Sequence, residues 1–328
     1  MKNLKKLPFI LSILSFLTFF TSANAEIKVV TSIKPIHSLA SYLMDGINKP
    51  YLIVDGYASP HGFALKPSHA KMLQEADLIF WVGEGLENFL EKPLKSIARK
   101  AEKIELLEIK ALKKLKFREK NIFDEHDDHG HKEDEHDDHG HEEDGHKEDN
   151  HDNHGHEDHA HGDYDPHIWL DPINAKTILN EMVEHLIEND EKNGPIYKKN
   201  LDKALRDIDK LISEVKSELN KDISFIVFHD AYQYFEERFN VTVLGAFTVN
   251  TDVMPGAEQL SEIREIIEHD KISCIFSEPQ FNPDIIKTVA KDMEIKTGVL
   301  DPLGATIDSG KDLYFDLIRN MSKSFKGC

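Results

Sequence analysis

The stretch Ser224-Phe225-Ile226-Val227-Phe228-His229-Asp230 reads as a strand that delivers two titratable side chains at its carboxyl end. A βα series continues from it. Tyr232–Arg238 is expected as a helix, Val241–Leu244 as a strand, Glu258–Glu268 as a helix and Ser273–Ser277 as a strand. Asp284–Lys291 then reads as a helix, Lys296–Leu300 as a strand ending at Asp301-Pro302-Leu303-Gly304, and Asp312–Ser322 as a closing helix. Upstream the same alternation begins at Glu26. Ile27–Thr31 is a strand, and Pro35 opens a helix running toward Asp45. Tyr51–Asp55 and Leu78–Val82 are strands separated by the helix that Pro67 opens, and the helix Glu87–Arg99 leads to the strand Lys103–Leu107. Strands alternating with helices give an α/β fold with parallel sheets covered by helices on both faces. In such sheets ligands bind outside the carboxyl ends of the strands.

Between the two series lie the helices Asn174–Glu188 and Ile196–Asn220, with the break Asn193-Gly194-Pro195 between them. The second carries Leu201, Leu205, Ile208, Leu211, Ile212, Val215 and Leu219. Its length of about 25 residues at 1.5 Å each spans roughly 38 Å, the width of a domain, so it reads as a rigid strut between two lobes.

A stretch of different character interrupts the first series. Asp124 to Asp163 holds twelve histidines, eighteen acidic residues and only Lys132 and Lys147 as bases, for a formal charge of −16 out of −20 for the whole chain. Asp124-Glu-His-Asp-Asp-His-Gly-His131 recurs as Asp134-Glu-His-Asp-Asp-His-Gly-His141. Nothing in this repeat can form a core, so disorder is expected rather than a solenoid. A plain acidic linker rarely carries so many imidazoles. Neutral imidazole suits zinc, copper or nickel and the carboxylates add attraction, so the composition points to metal collection.

Residues 1–25 read as a cleavable secretory signal. Lys2, Lys5 and Lys6 precede an apolar run from Leu7 to Phe20, and Ala23-Asn24-Ala25 supplies small residues at the cut. No later stretch is apolar enough to span a bilayer. Export makes a disulfide between the two cysteines, Cys274 and Cys328, the expected state. In the chain-entropy model such a loop is worth roughly 4 kcal/mol.

His61, in the loop Gly56-Tyr-Ala-Ser-Pro-His61-Gly62, His167 and His229 share one kind of address, a loop or strand end beside apolar or turn residues. Asp301 sits at a similar strand end. Three imidazoles with an open fourth position form a known zinc arrangement, though the spacing alone is a weak signal and for any one of them favours a structural or capping histidine. No HExxH, CxxC pair or Gly-rich phosphate loop offers a rival chemistry.

Several motifs carry a family resemblance that covers essentially the whole mature chain. They are Ser59-Pro-His-Gly-Phe-Ala-Leu-Lys-Pro-Ser68, Ala76-Asp-Leu-Ile-Phe-Trp-Val-Gly83, His167-Ile-Trp-Leu-Asp-Pro172, Phe228-His-Asp-Ala-Tyr-Gln-Tyr-Phe235, Gly245-Ala-Phe-Thr-Val-Asn250, Ser277-Glu-Pro-Gln-Phe281 and Leu300-Asp-Pro-Leu-Gly304. The chain resembles the zinc-specific solute-binding proteins of bacterial ABC uptake systems, the ZnuA type. That resemblance implies two α/β lobes joined by a long helix, with a metal ion in the cleft between them. The lobes would be 26–123, completed by 164–190, and 221–328. The histidine-rich loop is 124–163 and the linker helix 195–220.

The resemblance also implies that His61 and His167 come from the first lobe and His229 from the second. Asp301 matches an aspartate that manganese relatives use as a ligand and that lies beside the metal in zinc members. Manganese relatives place a carboxylate where His229 stands, and imidazole there favours zinc. Some zinc members have a glutamate before the first histidine, where this chain has Pro60. The fourth ligand is therefore water or Asp301. A disulfide between a strand of the second lobe and the carboxyl end matches Cys274 and Cys328.

The resemblance implies Zn²⁺ as transported ligand, a periplasmic location, an inner-membrane ABC permease as partner, no nucleic acid and a monomer. Other histidines rank lower. His37 is a candidate to support a ligand, whereas His69, His185 and His269 read as solvated helix residues. Glu278 is read either as orienting a ligand or as a structural carboxylate, and Trp169 and Phe63 as packing around the site. Manganese uptake, a zinc hydrolase using Asp301 or Glu278 as base, and a buffer in which the loop does the main job remain as alternatives.

Overall fold

The computed structural model describes residues 26–118, 120–122, 163–219, 224–249, 251, 255–270, 272, 274–291, 293 and 295–328. The expected export signal lies outside the described residues, as does the histidine-rich stretch up to residue 162.

Two parallel four-stranded sheets follow the two βα series. The first contains β1 (Val29–Ile33), β2 (Tyr51–Val54), β3 (Leu78–Trp81) and β4 (Glu102–Glu105) in the order β2-β1-β3-β4. The second contains β5 (Ser224–His229), β6 (Thr242–Thr248), β7 (Cys274–Ser277) and β8 (Lys296–Val299) in the order β6-β5-β7-β8. Each sheet starts at a central strand, steps to one edge and crosses back. The strand order therefore reverses at β1/β3 and at β5/β7, the kind of place where an open α/β sheet forms a crevice. All five residues of β1 are buried, as a strand covered on both faces requires.

The helices are α1 (Lys34–Leu43), α2 (Pro67–Glu75), α3 (Glu84–Ser96), α4 (Pro172–Asn189), α5 (Gly194–Glu218), α6 (Gln233–Phe239), α7 (Ala257–His269), α8 (Asp284–Ala290) and α9 (Leu313–Gly327). Pro35, Pro67, Pro172 and Pro195 open α1, α2, α4 and α5, where the missing N–H leaves no orphan donor. Asp171 caps α4 by accepting from the Ile173 N–H, and holds Arg238 of α6 through two bonds of 2.6 and 2.7 Å.

The long helix α5 runs 25 residues, about 38 Å. It is not a free-standing strut. Tyr197, Ala204, Ile208, Leu211 and Val215 are buried along one face, and that face packs on α1, α4 and α9. The terminal helix α9 in turn lies against α1 and α5 as well as β8. One continuous apolar core thus runs from the first sheet through these helices to one face of the second sheet, while α7 and α8 cover its other face with a smaller core. The Cys274–Cys328 disulfide ties β7 to the end of α9, with a Cα–Cα distance of 5.7 Å.

A second crossing lies at residues 116–122. Lys116 bridges Tyr164 in antiparallel fashion, and Ile122 bridges Gly245 on the edge strand β6. The Asn121 carbonyl accepts from Ala246 N–H at 2.8 Å, and its side-chain amide donates to the Phe247 carbonyl at 3.1 Å. Gly245 is required here, because a Cβ would stand 2.8 Å from the Asn121 carbonyl oxygen. The chain therefore enters the histidine-rich stretch from the edge of the second sheet and leaves it beside Lys116. Among the described residues no helix is long and apolar enough to cross a membrane.

Candidate metal centre

Three histidines from three separated segments converge at the carboxyl ends of the strands. His61 comes from the loop after β2. His167 immediately precedes a 3-10 turn, Ile168–Leu170, that leads into α4, and His229 is the last residue of β5. Their ring centroids lie 5.7, 5.9 and 5.2 Å apart, and one ligand nitrogen from each falls within 4.8 Å of the others. His167 and His229 are buried, while His61 is partly exposed and closes the site from outside.

Hydrogen bonds fix which nitrogens face inward. His167 Nδ1 lies 2.6 Å from Asp165 Oδ1, and His229 Nδ1 lies 2.6 Å from Glu278 Oε1. An ionised carboxylate only accepts, so opposite it each Nδ1 donates and each Nε2 is left for a cation or a proton. The two Nε2 atoms face one another at 3.3 Å. Two ligands at 2.0–2.1 Å from a tetrahedral zinc ion stand about 3.3–3.4 Å apart, so this spacing matches the one a shared ion would need. Two lone pairs at that distance repel unless a cation or a proton lies between them.

His229 and Glu278 sit at the ends of β5 and β7, the two strands that flank the order reversal of the second sheet. Phe281 packs edge-on against the His229 ring at 5.6 Å, and Trp169 packs against His167 at 5.4 Å. Trp169 is held by donation from its Nε1 to the Pro302 carbonyl at 2.8 Å. The cavity these residues enclose has room for about one water-sized occupant.

The electrostatics separate the two buried histidines. Burial and the neighbouring His229 charge hold His167 well below the ordinary imidazole value. Burial also opposes charge on His229, but Glu278, with Asp230 and Asp165, outweighs it and raises that ring. Burial pushes Asp165, Asp230 and Glu236 up to about 7. Arg118 answers part of this acidic cluster, with Nη1 at 2.9 Å from Asp230 and Nη2 at 2.9 Å from Glu236.

The same geometry stands on a chain with clear relatives. The family model for the periplasmic component A of the zinc-uptake complex, ZnuA, matches residues 29–328. The chain belongs to the ZnuA family. It is 45% identical to the high-affinity zinc uptake system protein ZnuA of Brucella abortus (strain 2308), covering 100% of this chain and 99% of the relative. It is 35% identical to the protein of the same name from Yersinia pestis, over 93% and 92% of the two chains. A crystal structure of a ZnuA deletion mutant with zinc bound shares the fold, with a TM-score of 0.70 at 19% identity over 92% of this chain and 96% of that one.

Not every expected site residue joins the group. Asp301 stands outside the three-histidine cluster. Its carboxylate is taken by Gln280 Nε2 at 3.2 Å, by Ala305 N–H and Thr306 N–H at 3.0 Å, and by the Thr306 hydroxyl at 3.0 Å. It thereby closes its own loop, which turns at Gly304 with a φ of 67°. His37 supports no ligand of the cluster. Its Nε2 lies 3.1 Å from the Pro50 carbonyl, where burial lowers its pKa. Phe63 packs on His69 and Phe89, away from the cavity.

Two histidines expected to be solvated are not. His69 is buried, accepts at Nδ1 from the Lys66 N–H and caps α2. His185 is largely buried among Glu102, Glu181 and Glu188. His269 is exposed, as its position suggested. Sequence reasoning missed Asp165, whose signal was its place two residues before His167, and it missed Arg118 and Phe281.

Proposed function

We propose that this chain is a periplasmic zinc-binding protein that captures Zn²⁺ and delivers it to an ABC-transporter permease in the inner membrane. The observation that carries the reading is the pair of buried Nε2 atoms 3.3 Å apart, each backed by a carboxylate on Nδ1, with His61 closing the third position. The metal ligands in this reading are His61, His167 and His229. The fourth position goes to water or Asp301, and the four hydrogen bonds already made by the Asp301 carboxylate favour water.

Three imidazoles suit zinc better than manganese, which prefers carboxylates. The small cavity suits an ion rather than an organic substrate, which supports binding over hydrolysis. In this reading residues 1–25 are the cleaved export signal, residues 124–163 collect zinc weakly beside the cleft, and the lobes are 26–123 with 164–190, and 221–328. The protein acts as a monomer and binds no nucleic acid.

Calorimetric titration of zinc into the mature chain, with and without residues 124–163, tests this. One tight site kept in both, with extra weak binding only when the segment is present, is the expected outcome. Loss of the tight site on deletion would transfer a primary ligand to the segment and overturn the assignment. Many weak sites and no tight one would make the protein a buffer.

A further inference from the structure

A second cluster of metal-ligating atoms lies at the other end of the first sheet, where β4 begins and α4 ends. His185 and Glu188 are one turn apart on α4, and Glu102 is the first residue of β4. His185 Nδ1 lies 2.8 Å from Glu102 Oε1 and 3.9 Å from Glu188 Oε2, and one donor atom from each of the three residues falls within 4.8 Å of the others. From the start of α4, beside the first centre, His185 is thirteen residues along the helix, about 20 Å. The two clusters are therefore separate.

The donors are held and they lack a cation. On its other nitrogen His185 meets Glu181 Oε1 at 3.4 Å, so carboxylates stand against both ring nitrogens. The Nδ1 atom is buried, and its near neighbour is the Glu102 carboxylate at 2.8 Å. Asn189 Nδ2 donates to Glu102 Oε2 at 2.7 Å and fixes the carboxylate. The last turn of α4 carries no basic residue, and none of Glu102, Glu181 and Glu188 is paired with Lys or Arg among the described residues. An imidazole nitrogen and two carboxylates thus converge at a helix carboxyl end, where the backbone dipole also favours positive charge, and a divalent cation there would take the place of the imidazole proton.

The geometry points to a second divalent-cation site formed by Glu102, His185 and Glu188, with Glu181 orienting the imidazole. One nitrogen and two carboxylate oxygens form a ligand set that accepts zinc and, with its remaining positions taken by water, other first-row divalent ions. Glu188 is 71% exposed, so the site opens to solvent and exchanges its ion readily. It gives the body of the protein a zinc-responsive position far from the cleft.

Carbethoxylation of single histidines in the full mature chain, read by peptide mass spectrometry, tests this with zinc chloride as the probe. A residue-level readout separates His185 from the histidines of 124–163. With one equivalent of zinc His185 should react at its metal-free rate. With zinc in large excess it should react at least fivefold more slowly. Glu188→Gln, at an exposed position that leaves folding intact, should abolish that protection, while the response of His167 and His229 to zinc stays as in the parent. A His185 rate unaffected by excess zinc would show only a histidine–glutamate ion pair and overturn the site. Protection undiminished in Glu188→Gln would overturn the three-donor assignment.

Discussion

Replacing Glu278 by glutamine removes the charge that backs His229 and keeps the side-chain shape. Glu278 and His229 are 3% and 5% exposed and touch at 2.6 Å, so solvent screens the contact little. Loss of a carboxylate behind a ligating histidine costs about 10–100-fold in metal affinity, or about 1.4–2.7 kcal/mol. Burial of the pair places the expected loss in the upper half of that range. The pH dependence gives a second, signed readout. Glu278 raises His229 above the ordinary imidazole value, so in the parent protein a proton competes with zinc from relatively high pH. Without the carboxylate the ring loses its main support for charge, and its pKa falls. The variant should therefore bind zinc more weakly at pH 7.5 and lose less affinity on acidification, so that the ratio of parent to variant affinity narrows toward pH 6. Competition with a chromophoric chelator at several pH values measures both effects. A folded Glu278→Gln variant with parental affinity at pH 7.5, or a ratio that widens on acidification, would refute the reasoning.

Two further changes probe the selectivity and the frame. His229→Glu gives a harder ligand set and should weaken zinc binding at least tenfold, about 1.4 kcal/mol, while narrowing the preference for zinc over manganese in parallel titrations. Gly245→Val places a branched side chain where even a Cβ would meet the Asn121 carbonyl at 2.8 Å. Overpacking of this kind costs about 1–3 kcal/mol and should lower the metal-free Tm by a few degrees in calorimetry. An unchanged Tm would mean that residues 120–122 do not pack on β6 as described.

Much of this was legible in the sequence because parallel strands buried on both faces write themselves as apolar runs. Val29–Ile33 and Ser224–His229 are such runs, and His229 follows from the second. Prolines in first turns marked the starts of α1, α2 and α5 for a local reason. What sequence could not supply was partnership across long separations. Glu278 was equally readable as an orienting or a structural group, and only its 2.6 Å contact to a residue 49 positions away decides. His185 looked solvated because its partner Glu102 arrives from a strand 83 residues earlier. Asp301 had the right strand-end address, yet its own loop takes up its oxygens. The long helix was visible as a strut, but not the face it buries on α1, α4 and α9.

The central claim, that three imidazoles hold the transported ion, is tested most directly by a crystal structure of the full mature chain loaded with one equivalent of zinc, with anomalous differences collected at the zinc edge. The expected peak lies between His61, His167 and His229, about 2.0–2.1 Å from one nitrogen of each. A principal peak elsewhere, or one that omits any of the three, would contradict the account.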